Sequence, residues 1–184
     1  LYNSLNSIRW MAMMTNNTKV ADSLVTLSRI ITPILRDPSF TWKLENELEF
    51  LKSYVEMMQL RFGPQMEYHV ECGPELYEET FPRFILQPAI ENCFVHGSSS
   101  REIRHIYVKI RKEEGFFIEI RNTGVFVEEE KIRQINRGFS GGESGPNSIG
   151  LANVRKRLGI LYGDRGRLWM ASDQEKGTFV YLTF

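Results

Sequence analysis

The sequence predicts an α+β chain, with a helical hairpin over residues 1–62 followed by an α/β sandwich over residues 66–184. Three observations lead there. In the first part apolar residues recur at alternating steps of three and four, the period of a helix stripe. Past Gly63 and Pro64 several segments alternate at every second residue, as half-buried strands do. Between those segments lie three stretches whose apolar spacing is helical again, and strands interleaved with helices in this order make a sheet with helices packed on it.

The elements follow in order. Leu1, Leu5, Ile8 and Ala12 form the first stripe, which resumes at Val20, Leu24, Leu27, Ile31 and Leu35. Thr15, Asn16, Asn17 and Thr18 between them are good capping residues, so the helix is expected to break and restart there. It must end near Asp37, because the residue before a proline is pushed out of the α region. Leu44, Leu48, Leu51, Val55, Met58 and Phe62 then keep a heptad stripe up to Gly63 and Pro64. An antiparallel hairpin of this kind leaves half of each stripe in water. Pairing with a second copy into a four-helix bundle would cover it, so a homodimer is expected; packing on the rest of the same chain is the alternative. Strands are predicted at 66–72, 106–111, 116–121, 168–171 and 178–184, and helices near 84–97, 127–137 and 150–162.

Of the 184 residues, 42% are hydrophobic and 25% charged, which suits one or two small globular domains rather than disorder. Lys plus Arg equals Asp plus Glu at 23 each, so no net field points to nucleic acid or to a membrane surface. No apolar run approaches the roughly 18–20 residues of a membrane span, and this piece is expected to be soluble. The chain begins at Leu1, without Met and inside a helical pattern, as a fragment of a longer protein would. Cys72 and Cys93 sit in apolar sequence and read as buried free thiols of a reducing compartment, with a disulfide between them as the alternative; a metal site would want more ligands.

Chemistry gathers at three places. In the stretch from Leu86 to Gly97, Leu86, Ile90, Cys93 or Phe94, and Gly97 can face inward, while Glu91, Asn92 and His96 share another side. Pro88 fits the first turn of that helix. Residues 138–150 hold five glycines and run into an apolar helix at Leu151. Unpaired backbone amides at a helix N-terminus suit a polyphosphate. The spacing is neither that of a P-loop nor that of the dinucleotide fingerprint. Finally, Asn122, Thr123 and Gly124 close one strand, and Gly177 and Thr178 open the last.

In this order these motifs resemble the catalytic half of sensor histidine kinases, within the GHKL ATPase superfamily, over the whole of residues 1–184. More narrowly the chain is similar to the LytS/YesM-like group, whose phosphoacceptor motif reads Asn-Pro-His-Phe-Leu-Tyr-Asn. The run from Leu1 through Asn3 to Ile8 matches that motif's tail; Leu86 to Asn92 with His96 and Gly97 matches the N box; Ser148 to Val154, then Arg157, Leu158, Tyr162 and Gly163, match the last glycine box. The fold implied is a GHKL (Bergerat) ATP-binding sandwich behind a dimerisation and phosphoacceptor hairpin.

The resemblance also implies roles. Asn92 would hold Mg²⁺ through its side-chain oxygen, with His96 near the phosphates. Asn122 stands where the family usually has the Asp that accepts from the adenine amino group, and an uncharged amide oxygen still accepts. Gly124 would let the base come close, Gly150 and Leu151 would belong to the lid over the triphosphate, and Thr178 would sit behind the adenine, bridging to Asn122 or a water. Glu91 would orient or deprotonate the attacking imidazole. That acceptor His would come two residues before Leu1, and Asn3 would share its helix face. His69 and His105 read as solvated or packed side chains, and the basic runs 101–112 and 155–157 as solvated faces.

Thr123, Phe126, Ser148 and Val95 depart from the family's usual residues in its nucleotide boxes, while the expected Mg²⁺ ligand stays. The implied activity is ATP-dependent phosphorylation of a His on the dimerisation helix, followed by transfer to a response regulator. It would take place in the cytoplasmic part of a membrane-anchored bacterial sensor. The alternatives are a degenerate nucleotide-binding scaffold or phosphatase module, and a GHKL ATPase of the gyrase-like or chaperone-like kind.

Overall fold

The structure is a computed structural model that describes residues 2–36, 39–63, 65–97, 103–141 and 149–184, with side chains omitted at 2–3, 33–36, 96–97, 138–141 and 149. In chain order the elements begin with α1 (Tyr2–Met14), α2 (Thr18–Arg36), β1 (Thr41–Lys43), α3 (Leu44–Phe62), β2 (Met66–Cys72), β3 (Thr80–Pro82) and α4 (Gln87–Gly97). They continue with β4 (Arg104–Lys112), β5 (Phe116–Asn122), α5 (Glu129–Gly141), α6 (Ile149–Tyr162), β6 (Arg167–Asp173) and β7 (Gly177–Thr183). Two compact units emerge: Leu1–Pro64 with Glu78–Arg83, and Gln65–Tyr77 with Phe84–Phe184. Glu78–Arg83 is thus a return that a single boundary near Gly63 does not include.

In the first unit the break between α1 and α2 is built by the residues expected to make it. The Thr15 hydroxyl donates back to the Met11 and Ala12 carbonyls, both at 3.1 Å. Asn16 takes φ 55°, a left-handed value that Asn tolerates. Asn17 caps α2, its side-chain oxygen accepting from the Val20 amide at 3.3 Å. α1 packs on α2 and α2 on α3. The buried line of α2 runs through Ala21, Thr26 and Ile30, while Val20 of the expected stripe is exposed; α2 has a neighbour on each side, and its buried line falls between them. On α3 the stripe residues Leu44, Leu51, Val55 and Met58 are buried, and Phe50 and Tyr54 widen the face. Three-residue strands are too short to signal in sequence, and the pair β1–β3 was not expected: Trp42 sits opposite Phe81, which is fully buried.

The second unit is a five-stranded mixed sheet in the order β2-β4-β5-β7-β6, parallel between β2 and β4 and antiparallel elsewhere. Its register sets three cross-strand rows on the face covered by α4, α5 and α6. Two of them are apolar across the centre: Val108, Ile120, Val180 and Met170, then Ile110, Ile118, Leu182 and Leu168. The third begins with Ile106 and turns polar through Asn122, Thr178 and Ser172. Edge strand β6 is closed off by α5, because the Asn136 amide donates to the Met170 carbonyl at 2.9 Å and accepts from the Met170 amide at 2.8 Å.

The glycine-rich stretch differs from its expectation. α5 extends to Gly141 and α6 starts at Ile149, so Gly138 and Gly141 are helical and Gly150 lies in a first turn. Residues 142–148, the rest of the expected phosphate loop, lie outside the described residues. Among the described residues no helix is long and apolar enough to cross a membrane.

Candidate functional site

The polar end of the third row is where the sheet stops being a simple core. Asn122 is the last residue of β5 and is only 5% exposed. Its side-chain amide group donates to the Cys93 carbonyl of α4 at 3.2 Å, which ties strand to helix. Its side-chain oxygen is buried and has no hydrogen-bond partner among the described residues. A buried acceptor left in that state costs about 1–3 kcal/mol, so it marks a place where a ligand donor would be rewarded.

The segment after Asn122 is clamped at nearly every residue. The Thr123 amide donates to the His105 carbonyl at 3.0 Å, and the Thr123 hydroxyl accepts from the His105 amide at 2.9 Å. Gly124 takes φ +74°, and a Cβ there would lie 3.3 Å from Arg104 Nε, so the left-handed turn and the close arginine both favour glycine. The Val125 carbonyl accepts from the Thr178 hydroxyl at 2.7 Å, and the Val127 amide donates to Ser172 Oγ at 2.9 Å. Thr178 and Ser172 oxygens lie 3.3 Å apart. Thr178 therefore stands opposite Asn122 in register but spends its hydroxyl on the loop carbonyl, because Asn122 is drawn away toward α4. Ser172 was missed in the sequence. Alternation from Leu168 and Met170 puts Ser172 on the helix-covered face, but only the register with β7 sets it opposite Thr178.

Gly177 is the tightest backbone point. At φ +93°, a Cβ would fall 2.1 Å from the Asn122 carbonyl oxygen, so only glycine lets β7 start against the end of β5.

On α4, Ile90, Cys93 and Phe94 are buried, Asn92 is half-buried and Glu91 is exposed, the two-faced pattern expected of this helix. Burial pushes the Cys93 thiol up to about 12, so it stays protonated and packs as an apolar group. Cys93 and Cys72 are both free. His96 belongs to α4, but its side chain, like that of Asn3 on α1, lies outside the described ones. Gly150 brings the start of α6 against α4, where a Cβ would sit 3.2 Å from Pro88 Cβ, and Leu151 beside it is buried. The Arg155 guanidinium donates to the Gly166 carbonyl and serves the fold there.

The donors sort by chemistry. Asn92 offers a neutral amide oxygen, a hard ligand suited to Mg²⁺, and Asn122 offers a buried acceptor suited to an amino group on a flat ring. The unpaired oxygen of Asn122 leaves room in its hydrogen bonding for one donor of a ligand at this end of the sheet.

Comparison with known proteins agrees in fold and order. The family described as histidine kinase matches residues 1–66. The family described as histidine kinase-, DNA gyrase B-, and HSP90-like ATPase matches residues 77–184. Sensor protein kinase HptS of Staphylococcus aureus (strain USA300) is 25% identical over 98% of this chain and 35% of its own length. The chain thus spans about a third of the curated relatives it matches. The catalytic domain of histidine kinase ThkA, in a nucleotide-free form, has a TM-score of 0.58 at 14% identity, covering 78% of this chain and 92% of that one. ThkA in complex with the response regulator protein TrrA has a TM-score of 0.56 at 16% identity, covering 94% and 51%. At such identities these two carry the fold alone. With the second family matching more than half of this chain and the histidine kinase family matching the residues ahead of it, the chain belongs to the histidine kinase-, DNA gyrase B- and HSP90-like ATPases, among the sensor histidine kinases.

Proposed function

We propose that this chain is the catalytic core of a sensor histidine kinase that binds Mg-ATP and phosphorylates a His of the dimerisation helix. The observation that carries the reading is the buried, unpartnered acceptor of Asn122 at the polar end of the sheet. Residues 66–184 would be the ATP-binding domain and residues 1–62 the dimerisation and phosphotransfer hairpin of a homodimer. The exposed Trp10, Met11, Met13 and Met14 on α1 support a second copy as the cover for that surface.

Asn122 would receive the adenine amino group, with Gly124 leaving room for the ring and Thr178 with Ser172 holding the loop beside it. Asn92 and His96 would serve the phosphate side, and Gly150 and Leu151 the lid. Bound Mg²⁺ supplies charge neutralisation at the phosphate oxygens. An imidazole nitrogen attacks the γ-phosphorus as the bond to the bridging oxygen breaks, leaving ADP. Glu91 would take or orient the imidazole proton, and Asn3 would orient the phosphoryl group beside its helix. The phosphoryl group would then pass to an Asp of a response regulator, the kind of protein found with ThkA.

The test is calorimetric titration with ATP and ADP, each with and without Mg²⁺. Binding that tightens with Mg²⁺, and loses that gain in Asn92→Ala, supports the reading. A folded chain that binds no nucleotide up to millimolar concentration sinks it.

A further inference from the structure

We infer that Glu67, His69 and His105 form a site for a borderline divalent transition ion, Zn²⁺ foremost, on the solvent face of the sheet. Their placement follows from the pleat: Glu67 and His69 are two apart on β2, and the parallel register sets Glu67 opposite His105 on β4. All three point away from the helix-covered face, and their donor atoms converge within 4.8 Å.

The distances are those of a coordination polyhedron. His69 Nε2 lies 3.1 Å from His105 Nδ1, Glu67 Oε2 lies 3.2 Å from His105 Nδ1, and Glu67 Oε2 lies 3.5 Å from His69 Nε2. A tetrahedral ion bound at about 2.0–2.1 Å sets its ligands about 3.3–3.4 Å apart, so the three atoms already outline one face of that tetrahedron. As a hydrogen-bond network the same triangle is poorly matched. With an N–H on each ring both can donate to the carboxylate but then face each other at 3.1 Å, and with one N–H a pair of lone pairs is left facing, so two ring protons never satisfy all three edges.

The surroundings support an ion rather than a plain surface cluster. Four residues along β2 from Glu67, Glu71 is neutralised by Lys109 at 2.8 Å and Arg111 at 3.6 Å. Among the described residues Glu67 lies within 3.5 Å of both histidine rings and pairs with no Lys or Arg. The rings are held in place: His69 stacks on Tyr107 at 4.9 Å, and Arg121 lies over Tyr107 at 4.4 Å. Two imidazoles with one carboxylate select Zn²⁺ and its neighbours over Mg²⁺ or Ca²⁺, which take oxygen ligands, and water completes the fourth position. The site is therefore separate in chemistry from any Mg²⁺ on Asn92.

The experiment is calorimetric titration of the whole chain with ZnCl₂ in excess Mg²⁺, with Co²⁺ as an optical probe. One Zn²⁺ per chain and the visible bands of four-coordinate Co²⁺ are expected. His69→Ala and His105→Ala should each weaken binding at least about tenfold. Glu67→Gln, which keeps the side chain's shape, should weaken it as well, and Cys72→Ser should leave it unchanged. Absence of saturable binding overturns the site, and so does affinity that survives both His variants or disappears with Cys72→Ser.

Discussion

In the sandwich, every central position of the two apolar rows finds cover inside one chain, from Val108 and Ile120 to Ile118 and Leu182. In the helical unit, Trp10 and Met11 are each 58% exposed, Met14 is 84% exposed, and the buried residues of α1 and α2 are mostly small, such as Ala12 and Ala21. A sheet with helices on it closes its own core, whereas three helices in a row leave one side uncovered, the side that the proposed second copy would meet. On the proposed dimer, stability and assembly would be assigned to different parts of one sequence.

The largest effect that sharpens this contrast is expected at Ile118, which has no exposed surface in the middle of β5. Ile118→Ala should cost about 2–5 kcal/mol in urea unfolding. Next comes Gly177→Ala, whose Cβ would strike the Asn122 carbonyl at positive φ; a loss of about 1–3 kcal/mol is expected, and the proposed function adds weaker nucleotide binding in the same protein. Asn122→Ala removes the side-chain tie to the Cys93 carbonyl together with the buried unpartnered oxygen, so a net loss below about 1 kcal/mol is expected in the same unfolding curves.

Alkali offers a further probe. The folded chain holds the Cys93 thiol up at about 12, whereas the unfolded chain ionises it at the ordinary 9.0. Between these values the unfolded state binds fewer protons, so stability falls as pH rises above about 9. Cys93→Ala should lack that part of the fall, and a thiol reagent should modify Cys72 before Cys93 in the folded chain. The smallest effect on unfolding belongs to Trp10→Ala with Met14→Ala, within about 0.5 kcal/mol. The same variant should show its effect in sedimentation, by abolishing concentration-dependent association; a wild-type chain that stays monomeric would break the contrast.

Much of this was readable from residue spacing. Two-residue and seven-residue periods announce themselves over long segments, which is why the five sheet strands, the helix at Asn92 and the break at Thr15 to Asn17 were legible. The strands β1 and β3 were not, because three residues carry no period and their pairing joins positions about forty apart. The polar row also escaped, since Ser172 acquires meaning only once register sets it beside Thr178. His69 and His105 looked like unrelated surface residues for the same reason. They lie 36 positions apart in sequence, and only a parallel pairing of β2 with β4 brings them together.

The pairing of β1 with β3 bears on how this protein should be cut. The chain leaves the helical unit after residue 64, comes back for Glu78–Arg83, and leaves again. A protease nick near Gly63 would therefore not release two free halves, since Trp42 and Phe81 would still hold the pieces together through their strands. A sandwich expressed from Met66 onward would carry β3 without its partner, with Phe81 bared and the β3 backbone open to another chain's edge. Keeping residues 39–63 attached, or trimming the 78–83 excursion together with them, respects the way the polypeptide is threaded.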